Sequence, residues 1–308
     1  MKINRLMKWC MGIIFIVILT IGGFAYHVYY NAVSTFEEIH TPIKHTPTEQ
    51  RTQPVVLQEK HPFSMLLLGV DERENDVGRS DTIIVLTVNP QTKNTLMVSI
   101  PRDTYTTIVG KNRKDKINHA YAFGGMEMSM NTIEKLLDIP IDYVAKVNME
   151  GFKQVIDTIG NVQVQNEIDF QQGSHHFKKG TISLDGSAAL DYVRMRKVDP
   201  QGDFGRQNRQ KQVIQAIIDK GTSLKTLMIY QDIFKILGKN VSTNLTFNQI
   251  KELQQNYRQS LGDIKQIHFE KGQGKIIHGI WYYIPDQKEL SQISSSLQKH
   301  LEVSSTKK

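Results

Sequence analysis

Between Trp9 and Tyr26 the chain carries no charged residue, and that run constrains everything after it. WCMGIIFIVILTIGGFAY reaches the roughly 18 apolar residues that a bilayer crossing requires, and it exceeds the usual apolar core of a secretion signal. Trp9 at one end, and Tyr26, Tyr29 and Tyr30 at the other, supply rings for the two membrane–water interfaces. No A-x-A cleavage site follows directly, and Ala32-Val33-Ser34 is a poor substitute, so a retained transmembrane helix over residues 9–30 is expected. Lys2, Arg5 and Lys8 precede it, and no comparable second run follows. The excess of positive charge on the cytoplasmic side then predicts residues 1–8 inside and the remainder outside, a single-pass type II protein of the cell membrane with its folded part extracellular.

Residues 31–61 turn polar, with Pro42, Pro47 and Pro54 among Thr, Gln, Lys and His. Such a segment buries too little apolar surface to offset its ordering entropy, and it reads as a stalk. The folded domain is expected over 62–302, followed by a disordered tail at 303–308. Cys10 is the single cysteine, so no intramolecular disulfide or cysteine zinc site is available and packing must supply the stability.

Within the domain, FSMLLLG from Phe63, TIIVLTVN from Thr82 and NTLMVSI from Asn94 are short, apolar, β-branched runs between turn-rich connections, hence strands. Helical spacing follows at Glu127 to Asp138, Met149 to Ile159, Gln207 to Lys220, Leu224 to Leu237 and Phe247 to Arg258, and IKQIHF near Ile264 reads as a late strand. The fold class is α/β, a central mixed sheet sandwiched by helices.

The first strand is followed at once by Asp71, Glu72 and Arg73; the second is introduced by Arg79-Ser80-Asp81; the third ends at Pro101-Arg102-Asp103. Ligands of open α/β sheets bind at strand ends. One Asp–Arg couple is ordinary ion pairing, but three strand edges that each deliver one point to a shared site. Tyr192-Val193-Arg194-Met195-Arg196, read as extended, would aim both guanidiniums one way. Arg206 and Gln210 share a helical stripe with Val213, Ile214 and Ile217, whereas Asn208, Gln212, Gln215 and Asp219 take the opposite face and Arg209 lies on the boundary. Lys116 and Asn118 are further candidates, or members of a surface loop. His119 and the pair His175-His176 are assigned no role and no metal.

So many guanidiniums require an anion, and paired charge-assisted hydrogen bonds suit pyrophosphate. Asp71 and Asp81 would repel it unless a hard divalent cation bridges them, which implies Mg²⁺ or, in its place, Mn²⁺. The net charge of +7 fits a polyanionic partner. Nucleic acid is set aside, because the cations fall at strand rims rather than along a recognition helix and no zinc-finger or basic-zipper pattern occurs.

The segments LLLGVDERE, GRSDT, VSIPRDTY, DKINHAYAFGG, LDGSAALDYVRMRK and DPQGDFGRQNRQKQVI, in this order, resemble the LytR-CpsA-Psr family, and within it the branch of wall teichoic acid transferases. The resemblance covers Phe63 to about Leu301. It implies an α/β domain whose apolar channel holds a polyprenyl chain with the pyrophosphate at its mouth. It places the metal at Asp71 and Asp81 and pyrophosphate contacts at Arg79, Arg102, Arg194, Arg196, Arg206 and Gln210, with Arg73 and Lys116 matching less closely. The implied reaction moves a glycopolymer from a polyprenyl-pyrophosphate carrier to the muramic acid C6 hydroxyl of peptidoglycan and releases polyprenyl phosphate. Arg102 would act on the transferring phosphate, and Asp81, Asp103 or Asp71 would accept the proton. A hydrolase of the same carrier, with water in place of the sugar hydroxyl, would use the same residues.

Overall fold

The computed structural model describes residues 54–72, 77–221 and 240–303, with 41–43, Arg51, Gly238 and scattered positions between 23 and 40. Among the described residues no helix is long and apolar enough to cross a membrane. The run expected to do so, the helix expected at 224–237 and the tail after Val303 fall wholly or largely outside them.

The strands in chain order are β1 (Phe63–Val70), β2 (Ser80–Asn89), β3 (Asn94–Ser99), β4 (Tyr105–Ile108), β5 (Arg113–Lys116), β6 (Tyr143–Asn148), β7 (Val162–Asn166), β8 (Phe170–Gln172), β9 (His175–Phe177), β10 (Gly180–Leu184), β11 (Val241–Thr243), β12 (Ile264–Ile267), β13 (Gln273–Ile277) and β14 (Ile280–Ile284). The helices are α1 (His119–Leu137), α2 (Met149–Thr158), α3 (Gly186–Arg194), α4 (Asp203–Gly221), α5 (Phe247–Asn256), α6 (Arg258–Gly262) and α7 (Gln287–Leu301).

β1 and β2 read as nearly unbroken apolar runs because both faces of their sheet are covered. The sheet has six strands in the order β11-β6-β1-β2-β3-β12. β1, β2 and β3 form an antiparallel meander, β6 lies parallel to β1, and β12 parallel to β3. On one face Leu66, Leu68, Val70, Ile83 and Val85 pack against Met130, Ile133 and Leu137 of α1 and Ile293, Leu297 and Leu301 of α7. Each such side chain, fully buried, contributes about 1.5–3 kcal/mol. The other face turns Ile84, Leu86 and Met97 towards Ile214 and Ile218 of α4. The expected mixed sheet between helices is present.

A second core joins α2, α3, the middle of α4 and β7–β10, with Phe170 and Phe177 stacked at 4.7 Å between ring centroids and Tyr192 fully buried beside them. The segment 169–180, which carries no apolar period, forms the β8–β9 hairpin here; His175 Nδ1 lies 2.7 Å from Asp191, and the exposed His176 2.8 Å from Asp169.

One local reading is extended and another changes. The helix expected from Glu127 is present, and α1 also takes in a further helical stretch from His119, separated from it by non-helical backbone at Gly124 and Gly125 (φ 62°), where the two meet at a kink. Tyr192-Val193-Arg194 is helical, not extended. Asp185 caps α3 by accepting a hydrogen bond from the Ala188 N–H, and Ala188-Ala189-Leu190 favours the helix, so only Met195 beyond it is extended.

Parts of the 31–61 segment lie on the domain. Ile39 is buried, the Thr41 N–H donates to the Thr243 carbonyl at 2.8 Å, Arg51 meets Asp142 at 3.3 Å, and Leu57 enters a small core with Phe63 and Tyr257.

Candidate active site

β1 and β2 pair regularly up to Gly69 opposite Thr82, but the next pair is Val70 with Ser80, which leaves Asp81 as an extra residue. A bulge of this kind bends the strand and re-aims the side chain. Asp81 accordingly joins Thr82 and Ile84 in the wall of a cavity on the α4 face. Beyond β1 the Asp71 N–H still bonds the Arg79 carbonyl at 3.3 Å, so strand alternation carries Asp71 to the face of Leu67 and Gly69. Gly78 (φ +72°) closes this turn at a point where a Cβ would collide with the Asp71 carbonyl; only glycine fits there.

Pro101 ends the third strand segment and presents Arg102 across the gap. The Arg102 Nη1 donates to Asp81 Oδ1 at 2.8 Å, and its Nε lies 3.8 Å from Asp103. Asp103 is held in turn by Lys116 of β5, whose Nζ donates to Oδ1 at 2.6 Å. Burial alone would depress the Arg102 guanidinium, but the charge and hydrogen bond of Asp81, with Asp103 behind, carry it above its ordinary value. A guanidinium so paired stays charged and oriented.

The helical residues arrive from the opposite wall. Arg194 is the last residue of α3 and Arg196 lies two beyond, and both line the cavity with Arg206 and Gln210 of α4. Their convergence depends on Arg209, which strand and helix patterns left at a boundary. Arg209 is buried; its Nε donates to the Tyr192 carbonyl at 3.0 Å, Nη2 to the Met195 carbonyl at 2.5 Å and Nη1 to Asp199 at 2.5 Å. It thereby satisfies carbonyls that the end of α3 would otherwise strand and locks the turn that carries Arg194 and Arg196. Arg206 is depressed first by burial, which Asp203 opposes, and then by the like charges of Arg196 and Arg102. Its Nε is shielded from solvent and has no acceptor among the described residues. Mutually repelling guanidiniums held this close create a strong site for an anion.

Below this mouth the cavity runs on between the sheet and α2, α3 and α4, about 790 Å³ in volume. Its walls there are apolar: Leu67, Ile84, Ala145, Val147, Phe152 and Ile214 are representative. Cavities of about 300–1,000 Å³ with few convergent polar groups are the usual form of a ligand site. This one is amphiphilic along its length, cationic at the rim and apolar inside.

Asp81, Arg102, Arg194, Arg196, Arg206 and Gln210 are thus brought together. Asp71 follows β1 but is not among the residues that line the cavity, Arg79 is exposed at the entry to β2, and Asp103 and Lys116 support Arg102 from behind. Arg73 lies outside the described residues. Sequence reasoning passed over Lys146, Asn148 and Lys197, which line the cavity, and Glu72, which accepts hydrogen bonds from the Tyr121 hydroxyl at 2.6 Å and Lys146 Nζ at 2.8 Å. The signal for Lys146 was a lone cation inside the apolar run of β6.

Comparison with known proteins bears on this geometry. The LytR_cpsA_psr family model matches residues 26–299. The polyisoprenyl-teichoic acid–peptidoglycan teichoic acid transferase TagU of Bacillus cereus is 46% identical over 97% of this chain and 99% of its own length. TagU of Bacillus subtilis is 48% identical over 98% of this chain and 97% of its own. Among solved structures, TagT bound to LI-WTA shares the fold with a TM-score of 0.73 at 34% identity, covering 86% of this chain and 100% of that one. A family match across most of the length, relatives of this identity and a common fold agree: the chain belongs to the LytR_cpsA_psr family and is a transferase of that family's type.

Proposed function

We propose that this protein transfers wall teichoic acid from a polyprenyl-pyrophosphate carrier to peptidoglycan at the muramic acid C6 hydroxyl. The observation that carries the reading is the amphiphilic cavity, whose apolar interior suits a polyprenyl chain and whose rim of Arg102, Arg194, Arg196 and Arg206 suits a pyrophosphate. The C6 oxygen attacks the polymer-side phosphorus, the bond to the bridging oxygen breaks, and polyprenyl phosphate leaves. The hydroxyl proton passes to a carboxylate, for which Asp81, Asp71 and Asp103 are the candidates. Catalysis of phosphoryl transfer is mainly positioning and charge stabilisation, and the carrier's own anhydride supplies the driving force, so no nucleotide is needed outside the membrane.

Asp71 and Asp81, two hard carboxylates on one face of the β1–β2 pair, fit Mg²⁺, which commonly takes one or two carboxylates together with water and phosphate oxygens. Bound there it would neutralise charge on the pyrophosphate. Arg102 orients the phosphate beside it, and Arg206 and Gln210 close the opposite side. The basic residues before the apolar run support an anchored protein with this domain outside the cell; protease treatment of intact protoplasts should remove the domain, and protection of it would overturn that topology.

Full-length protein in detergent, given lipid-linked teichoic acid with and without peptidoglycan strands, tests the activity. Polymer attached to strands is the expected product. Release of free polymer in equal amount whether or not strands are present would instead identify a hydrolase.

A further inference from the structure

The β13–β14 hairpin carries the most exposed apolar surface of the described folded domain. Ile276 is 69% exposed, Ile280 48% and Trp281 45%. Trp281 does not simply protrude. A Cβ on Gly274 would lie 2.7 Å from the indole Nε1 and 3.0 Å from two further ring atoms, so the Nε1 edge of the ring packs against the glycine while 45% of the residue stays exposed to solvent. Glycine in a strand marks such a close approach. Ile276 pairs opposite Trp281 and extends the same platform.

This hairpin is fastened to the catalytic rim. The Tyr283 N–H donates to the Asp103 carbonyl at 2.9 Å, Tyr282 meets Tyr105 edge-on at 4.8 Å, and Lys116 Nζ sits 5.8 Å from the centre of the Tyr282 ring. Asp103 is the residue after Arg102, which lines the cavity, so the hairpin is joined to the wall of the site one residue away. Both lie at the end of the sheet where β1, β3, β6 and β12 finish. The segment from the amino-terminal side docks at the other end, through Thr41 to Thr243 and Arg51 to Asp142. From Lys271 to Pro285 there are two lysines and a histidine and no acidic residue.

We infer that the β13–β14 hairpin is the docking platform for the acceptor, a strand of amino sugars bearing carboxylates, and that a sugar ring stacks on Trp281. The inference rests on the proposed transfer reaction and names the surface its second substrate uses. A half-exposed indole matches the apolar face of a pyranose, and Lys271 and Lys275 match carboxylates. Contact with Asp103 sets a strand on this platform beside the phosphate mouth, where its hydroxyl must arrive. The end of the sheet opposite the docked amino-terminal segment is the side open to the wall.

Trp9 is the other tryptophan of the chain, so Trp9→Phe in the full-length protein leaves Trp281 as the sole indole reporter. Titration of detergent-solubilised protein with uncrosslinked peptidoglycan strands should quench or shift its emission saturably, whereas anionic phospholipid vesicles should not. In the transfer assay Trp281→Ala should raise the acceptor KM about tenfold and leave kcat within about twofold. Binding of polyprenyl pyrophosphate should be unchanged, and Trp281→Tyr, which keeps a stacking ring, should recover most of the loss. Emission that ignores the strands, or answers only to vesicles, overturns the inference, as does an unchanged acceptor KM. Failure of the wild type to bind polyprenyl pyrophosphate would refute the proposed function instead, and the fluorescence arm would still report on the platform.

Discussion

The two faces of the central sheet are built from alternate residues of the same strands, yet one is filled throughout and the other is packed in part and hollow in part. Towards α1 and α7, Leu66, Leu68, Val85 and Leu297 are at or within 1% of complete burial. Towards α4, Leu67, Ile84, Ala145 and Val147 instead line a cavity of about 790 Å³. Apolar side chains therefore serve two ends: on the first face contacts between them hold the fold, and on the second Leu86 and Met97 do the same against α4 while Leu67, Ala145 and Val147 border the cavity. Stability and function should separate along this division.

The largest effect is expected on the filled face. Leu297→Ala removes a fully buried side chain from between α7 and the sheet and should cost about 2–5 kcal/mol in urea unfolding, with donor binding intact in the protein that remains folded. Loss of donor binding without loss of stability would dissolve the distinction.

On the hollow face the next effect lies at its rim. Arg102→Lys keeps the charge but loses the two-pronged geometry, and transfer should fall about a hundredfold at every magnesium concentration. Asp81→Asn should also be impaired, but its deficit should shrink as magnesium or manganese is raised. If Asp81→Asn binds metal normally and is inactive throughout, Asp81 is the proton acceptor rather than a metal ligand.

Smaller again, Ala145→Phe would place a ring in the cavity and should weaken polyprenyl-pyrophosphate binding about tenfold, with unfolding free energy changed by less than about 1 kcal/mol. A stability loss like that from overpacking a core would show this face to be as closed as the other.

The smallest effect is a pH dependence to which His300, on the filled face, contributes. His300 accepts a hydrogen bond at Nδ1 from the Thr87 hydroxyl at 2.8 Å and donates from Nε2 to Asn94 Oδ1 at 2.7 Å. Burial, against the pull of Glu302 and with the push of Lys265, lowers its pKa from the ordinary 6.5. The unfolded chain then binds the proton more readily, so the stabilising contribution is complete above the unfolded pKa and is lost as pH falls through the lowered folded value. The urea midpoint should drop between about pH 7 and pH 5, and His300→Gln should flatten that drop.

Much of this was legible in the linear chain. The apolar runs that became β1, β2 and β3, the Asp–Arg couples at their ends, and the inward stripe of Arg206, Gln210, Val213 and Ile214 follow from periodicities of two and 3.6 that backbone geometry imposes. Arg194 and Arg196 do line the cavity, but not as members of an extended segment: Arg194 ends a helix, and the turn beyond it is held by Arg209, a residue of the next helix. The link among Glu72, Tyr121 and Lys146 was illegible, although Lys146 stands out as a lone cation in β6, because their hydrogen bonds join the turn after β1 to α1 and β6, and nothing in any one segment announces the others.

The sequence by itself determined the anchor-like run, the fold class and the chemistry of the rim, since hydrophobic period, charge and turn residues act over a few positions. Tertiary structure alone decided that Asp81 enters the cavity, through a bulge that appears only when β2 pairs with β1. It likewise decided that Arg209 is a clamp rather than a ligand, and that one sheet face stays open while the other closes. Those outcomes depend on which distant surfaces meet and how much space they leave, and chain-local propensities do not encode either.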